Sequence, residues 1–507
     1  MTSASVDWSL PEGSQTLYWD HIHFPRPLSP LGVDFIRRWM MGGGSGRRVI
    51  NGYVFRPYPS FGGFELEEYR VSPSYDIPDP VRIWEDETLP YIEAIVDRIR
   101  TIDYESYDIE RLVGLLPSIF QSCGDAMRLT MNPWSVFNAR TARLLTYVED
   151  ALGDGAALQV VTMLQGLTNA SAESGTALGD LAEIALSEPE VKAAVLEGRF
   201  EDLEALPAAA HFIVVLKSYL HEFGWRSPTW GELHVPTWAE DPTQALALIR
   251  RFVQDPSRMP AAAVARARQQ RDAAVRDAEE KLGAERTPEF HRLLAEAEAH
   301  VPVCESRAMW QLISCGIARI PLLVLGRKLV EAGALHEAED IFYVRLGELQ
   351  AIAAGTGSIE PEEIEQRRAD LELWSRSMPP VVLGKASPWR VRDWYGDPGS
   401  DVRIVRGVGA SKGVVTATAR IIRGLDDADH LQAGDVLVCS STAPPWTPMF
   451  AIASAVVTNS GGILSHSAIA AREYGIPAVV GTQVGTQRIP DGATVTVDGE
   501  KGIVRIE

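Results

Sequence analysis

Apolar residues recur at intervals of three and four over most of the chain between Asp79 and Ser375, most clearly over Ile92–Ile99, Ala139–Leu152, Ala208–Phe223 and Ser306–Ala332. That spacing lines one face of a helix, so the stretch predicts a large helical unit. Pro260 to His300 is rich in Ala, Arg and Glu and predicts two exposed helices, Ala261–Leu282 and Pro288–His300, turned at Gly283-Ala284-Glu285. A solvated hairpin accounts for this charge pattern more simply than a partner-docking arm does. Ahead of the helical region, residues 1 to 75 are rich in Pro, Gly and aromatics. There Val49-Ile50-Asn51-Gly52-Tyr53-Val54-Phe55-Arg56 predicts two short strands about a tight Asn-Gly turn.

Near Met378 the period changes. Pro379, Pro380, Pro388 and Asp397-Pro398-Gly399 break the helical pattern. Short apolar strands follow at Val414–Ile422, Val436–Val438, Ala455–Val457, Ala478–Val480, Thr494–Val497 and Ile503–Ile506. They alternate with short helices at Leu425–Leu431, Pro448–Ala453 and Ser465–Tyr474. The expected architecture is multidomain α+β. A mainly α-helical unit (1–375) is followed by a hinge linker (376–403) and a small α/β domain (404–507).

Composition narrows the classes. A chain of 507 residues with 46% hydrophobic and 23% charged residues is that of a multidomain globular protein. Its net charge of −20 argues against a nucleic-acid partner. Cys123, Cys304, Cys315 and Cys439 have no metal-ligand spacing and fit reduced thiols. Met1–Ser14 lacks a basic start and an apolar core, and Phe212–Leu216 and Ile320–Leu325 are too short to span a membrane. A cytoplasmic protein is expected.

The most informative residue is His466, in Thr458-Asn459-Ser460-Gly461-Gly462-Ile463-Leu464-Ser465-His466-Ser467. An apolar strand runs into two glycines, and a helix opens at the histidine and closes at Gly475 with Pro477 beyond. A helix start offers unpaired backbone N–H groups and a positive dipole end, which suit a phosphoryl group. Imidazole is a nucleophile near neutral pH. The local reading is a histidine that carries phosphate, with Gly461, Gly462, Ser465 and Thr458 as phosphate contacts. For the short motif alone, a capping or packed histidine is the commoner outcome.

The longer run decides between them. His466 through Gly481, with Val436–Phe450 and Gly407-Val408-Gly409-Ala410-Ser411-Lys412-Gly413, resembles the swivelling phosphohistidine domain of the PEP-utilising enzymes. Leu464-Ser465 before the histidine resembles the rifampicin phosphotransferase and phenylphosphate synthase branch, which includes the para-cresol-phosphorylating synthase. The resemblance implies a mobile carrier that shuttles phosphate between a nucleotide site and an acceptor site. It also implies that the helical unit binds the acceptor. His21-Ile22-His23-Phe24-Pro25-Arg26-Pro27-Leu28-Ser29-Pro30-Leu31 resembles the opening of that branch's substrate region, with Tyr53 at the expected distance beyond it.

The other dense constellation is His221 to Pro242, with Trp225, Trp230, Trp238, His234, Arg226 and Glu232. Such a mixture suits an aromatic-walled pocket with a few polar groups. Arg226 falls on the basic position of a block in the resembled family and would neutralise the phosphoryl group. Glu232, His221 or His234 would take a proton. The alternative is that the tryptophans are core and the charges surface. The His21/His23 pair has no third ligand nearby and is weak for zinc, so no metal is expected.

The sequence shows no Gly-rich loop followed by Lys, and Gly42-Gly43-Gly44-Ser45-Gly46 lacks a strand–loop–helix context. The expectation is therefore a two-protein system. A separate ATP-grasp subunit, using ATP and Mg²⁺, loads His466, and this chain alone binds no cofactor. The expected acceptor is a phenol such as phenol or para-cresol. The competing readings are a non-catalytic phosphocarrier and an antibiotic-phosphorylating subunit.

Overall fold

The computed structural model describes residues 6–10, 16–21, 23–40, 46–57, 79–229, 231–377, 379–380, 382–384, 403–442 and 446–507. The Asn51-Gly52 turn forms as expected. Both residues have positive φ (47° and 72°), which gives a two-residue turn the twist of its flanking strands. It joins β2 (Arg48–Ile50) to β3 (Tyr53–Pro57). β1 (Leu17–Trp19) pairs antiparallel with β3 on one side and with β4 (Val382–Leu383) on the other. This corrects the linker expected over 376–403. Its first part returns to close the N-terminal sheet, so the first unit reaches Leu383. Residues 385–402 lie outside the described residues.

The helical unit follows the three-and-four pattern. α1 (Pro30–Trp39) starts at an N-cap, Ser29, and buries Leu31, Phe35, Ile36 and Trp39. Those residues join one core with α2 (Ile109–Leu129) and α3 (Arg319–Glu331). The Ala/Arg/Glu-rich segment is continuous from Pro260 to Gly316 except at Gly283, whose φ of 70° and ψ of 168° are non-helical. Arg271 reaches Glu298 at 2.9 Å and His291 reaches Glu279 at 2.9 Å. A straight helix would hold Arg271 and Glu298 about 40 Å apart, so the chain folds back at Gly283. The hairpin is less exposed than its charge suggested. Ala278, Leu282, Phe290, Leu293, Leu294 and Ala297 are buried with Phe137, Leu144 and Val148. An 18-residue window within Pro260–Glu331 is apolar enough to cross a membrane by composition, and 72% of it is buried inside the protein.

The C-terminal unit is an eight-stranded sheet in the order β5-β12-β11-β7-β8-β9-β10-β6. Its centre is parallel: β7 (Val414–Ile421), β8 (Val436–Cys439), β9 (Ala455–Thr458) and β10 (Ala478–Val480). β8, β9 and β10 are buried throughout, as expected of strands covered on both faces. Antiparallel β11 (Thr494–Asp498), β12 (Ile503–Ile506) and β5 (Ile404–Arg406) extend one side, and β6 (Val408–Ser411) pairs with β10 on the other. The strands read from the sequence are all present. The expected Leu425–Leu431 helix is a 3-10 turn over Leu425–His430. The α/β unit is docked on the helical unit through a shared core. Trp446, Met449 and Phe450 pack in one cluster with Leu178, Phe212 and Phe223.

Candidate functional site at the joint between the two units

His466 is the first residue of α4 (His466–Tyr474), with Ser465 as N-cap and Gly475 in the left-handed conformation that ends it. Gly461 turns the chain from β9 toward this helix with φ of 106°. A Cβ there would come within 2.7 Å of the Ser465 hydroxyl. Gly461, Gly462 and Ser465 all line the cleft beside the histidine, where the sequence placed them. Thr458 does not. It is fully buried, and its hydroxyl donates to Ser460 O at 2.7 Å, fixing the turn rather than facing a phosphate.

The imidazole lies between two units. Its Nε2 is 3.3 Å from Thr447 Oγ1, and Phe450 meets the ring edge-on at 6.5 Å. Its Nδ1 is 3.5 Å from Glu305 Oε2, a buried carboxylate on the second limb of the Gly283 hairpin. That approach is an ion-pair contact rather than a closed hydrogen bond. Arg472 is buried on the same helix and donates to Ala410 O and Ile463 O, both at 2.9 Å, so it clamps the loop before His466. Glu473 accepts from Asn169 Nδ2 of the helical unit at 3.2 Å.

Glu473 makes the docked joint sensitive to pH. Burial, reinforced by the neighbouring Glu305, pushes its carboxyl up to about 8 against the opposing pull of Asn169 and Arg472. The docked protein therefore keeps a proton that an exposed glutamate releases above about 4.3. Native protein binds more protons than unfolded protein through that window, so stability falls as pH rises toward 8 and then levels. Glu473→Gln keeps an oxygen for Asn169 and removes the titration. Its melting temperature is expected to match the parent's near pH 5 and exceed it increasingly toward pH 8.5, as calorimetry would show.

Below His466 opens a cleft of about 180 Å³. The α/β unit supplies one wall with Leu464, Ser441 and Thr442. The helical unit supplies Met40, Met127 and Met131, with Asn138, Arg307 and Gln311 as polar groups. Arg307 donates to Gln311 Oε1 at 3.1 Å. His23 also lines the cleft.

Several residues expected to bind acceptor lie elsewhere. Arg226 is buried away from the cleft, donating to Phe223 O at 2.8 Å and Ser174 Oγ at 2.7 Å. Its guanidinium ties two helices together and does not line the cleft beside His466. Glu232 is buried and spent on structure: Ser29 N, Ser29 Oγ, Leu233 N and His234 N all donate to it. His234 Nδ1 sits 2.8 Å from Glu232, and His221 is exposed at the end of its helix. Trp225 packs against the main helical core, and Trp230 lies outside the described residues. Tyr53 donates to Trp374 O at 3.0 Å and Ser377 O at 3.1 Å. His21 is buried with its Nδ1 3.3 Å from Trp19 O, and burial pushes its pKa down to about 4. Among the described residues no three His, Cys, Asp or Glu side chains converge as a metal site.

Glu305, Arg307, Asn138 and the three methionines were not picked out in the sequence. Glu305 left one trace. It is an acid on a helix whose neighbours Val301, Val303, Cys304 and Leu312 are buried.

Comparison with known proteins agrees with this division. The rifampicin phosphotransferase fourth domain matches residues 130–305, and the PEP-utilising enzyme mobile domain matches residues 431–502. The chain is 30% identical to chondramide synthase of Chondromyces crocatus over 99% of its own length and 14% of that protein's. It is 30% identical to the uncharacterized phosphotransferase YvkC of Bacillus subtilis, over 72% of this chain and 45% of the relative. It is also 30% identical to a rifampicin phosphotransferase of Streptomyces sviceus, over 71% and 42%. The chain thus spans less than half the length of each of these relatives.

Proposed function

From this chain's membership of the PEP-utilising enzyme family, we propose that it moves a phosphoryl group from His466 to a hydroxyl of a small amphipathic molecule held in the cleft. The observation that carries this is the cleft itself. It brings the carrier histidine and a methionine-lined wall of the helical unit to one space. A phosphocarrier without catalytic function has no use for such a cavity, which disfavours that alternative.

The ring contacts give the nitrogens separate roles. Glu305 faces Nδ1, and Nε2 lies on the Thr447 side. A phosphoryl group on Nε2 with a proton on Nδ1 leaves the ring cationic, and the nearby carboxylate stabilises that cation. In transfer, the acceptor oxygen bonds to phosphorus as the Nε2–P bond breaks. The electron pair returns to Nε2, and the ring departs as a neutral imidazole. Lacking the Nδ1 proton it would depart as an imidazolate, a far poorer leaving group. Arg307 brings a guanidinium to the same cleft for the charge on the moving phosphoryl group. Thr447 and the N-terminus of α4 add hydroxyl and dipole.

The acceptor proposed is larger than first expected. Among the described residues the aromatic wall anticipated for a phenol is not at the cleft, and polarizable methionines that adapt to irregular shapes line it. An amphipathic natural product, such as an antibiotic bearing a hydroxyl, suits that adaptable, open-mouthed lining. Phenol and para-cresol are the smallest acceptors in the proposal. Loading is proposed to come from an ATP-grasp unit, with ATP and Mg²⁺, on a separate subunit.

Single-turnover transfer tests the reading. Chain phosphorylated at His466 is mixed with para-cresol or with a bulky polyphenolic macrocycle such as rifampicin. Transfer to the larger acceptor is expected to be faster. Transfer to neither refutes the acceptor role.

A further inference from the structure

We infer that His23 is the general base of this transfer, taking the proton of the acceptor hydroxyl, and that Asp20 positions it. The inference rests on the acceptor reading above and deepens it.

His23 and His466 line the same cleft from opposite units. His23 Nδ1 is 2.9 Å from Asp20 Oδ1, and Asp20 is fully buried. Burial alone would raise the Asp20 carboxyl, but His23, Arg56 and Arg47 together hold it well below the ordinary range. It is therefore a carboxylate, and it fixes the His23 proton on Nδ1. That leaves the Nε2 lone pair as the basic site, the arrangement that orients a histidine base in nucleophilic transfers. The His23 side chain keeps 19% of its exposure, against a ring at His21 that is buried off the cleft.

The segment is also rigid. Asp20 N donates to Val54 O at 2.8 Å, Phe24 N to Asp20 O at 2.9 Å, and Trp19 Nε1 to Phe24 O at 3.1 Å. A base held by such contacts loses little freedom when the acceptor arrives. The carrier touches this segment directly, since Ser440 Oγ donates to His21 O at 3.0 Å. Docking of the carrier and placement of the base are thus one event.

The step balances. The hydroxyl proton passes to His23 Nε2, and the oxygen takes the phosphoryl group. His466 leaves as neutral imidazole with its Nδ1 proton retained, and the new His23 imidazolium faces the Asp20 carboxylate.

Acceptor acidity separates a base from a structural residue. A phenol such as para-cresol, with a pKa near 10 like that of tyrosine, keeps its proton at pH 8. Para-nitrophenol is already ionised there and needs no base. The experiment loads the parent and His23→Gln at His466 with phosphoramidate and follows single-turnover transfer to each phenol. His23→Gln is expected to slow transfer to para-cresol by roughly a hundredfold or more and to leave para-nitrophenolate within a fewfold of the parent. Asp20→Asn is expected to show the same split more weakly. Equal rates in parent and variant for para-cresol overturn the inference, and so does equal loss toward both phenols, the mark of a misplaced acceptor unit. Failure of the parent with both phenols and with the larger macrocycle overturns the acceptor reading itself, and the inference falls with it.

Discussion

His466→Ala is expected to leave a folded protein with no phosphoryl transfer and no acid-labile phosphate. The side chain is close to the cleft surface and makes no hydrogen bond through Nδ1, so its removal costs the fold little. Helix α4 keeps its Ser465 cap and its Gly475 terminus without it. Chemistry has no substitute, because the imidazole forms and breaks the only bond that carries the phosphate. Labelling with a loaded ATP-grasp subunit checks loading, and a melting curve checks the fold. Any turnover near the parent's would dismiss His466 as the carrier and the proposed function with it.

The second large effect is expected at Glu305→Gln. Its carboxylate stands 3.5 Å from Nδ1, buried, on the acceptor unit and not on the carrier. An amide at that place cannot stabilise a cationic ring, and preorganised electrostatic contacts of this kind are worth about a hundred- to a thousandfold in rate. The loss should fall on transfer alone. In the proposed cycle, loading takes place where the α/β unit meets a nucleotide-bearing partner, away from Glu305. Loading kinetics equal to the parent's, with transfer slowed by roughly that factor, is the expected pair of results. Equal slowing of both steps would show that Glu305 shapes the carrier domain rather than the reaction.

The turn and helix start that present His466 were legible because they are local. A glycine pair, a capped helix and a histidine lie within Gly461–His466, and the local geometry follows from the residues themselves. Of the cleft lining only His23 was legible on the helical unit, because the parts are far apart in sequence. His23, Met127, Asn138 and Arg307 meet only through the packing of four segments. Arg226 misled for the opposite reason. Its neighbours in sequence are aromatic and polar, as at a binding site, yet its guanidinium is consumed by Phe223 O and Ser174 Oγ. Composition does not distinguish a cation that serves a ligand from one that closes a helix end. Thr458 shows the same ambiguity with a hydroxyl. The helical unit itself followed from periodicity, and so did the strand set of the α/β domain.

In the proposed cycle, the shared core of Trp446, Met449 and Phe450 with Phe212 and Phe223 would set the tempo. Burying large side chains of this kind is worth about 1.5–3 kcal/mol each, so arrival of the carrier is downhill and departure is the slow passage. Each departure wets that surface anew. A carrier caught between stations shows a greasy flank to the solvent, where it can find the wrong neighbour. In the proposed cycle the site that loads His466 therefore needs a matching apolar seat, so that both ends of the journey cover that flank.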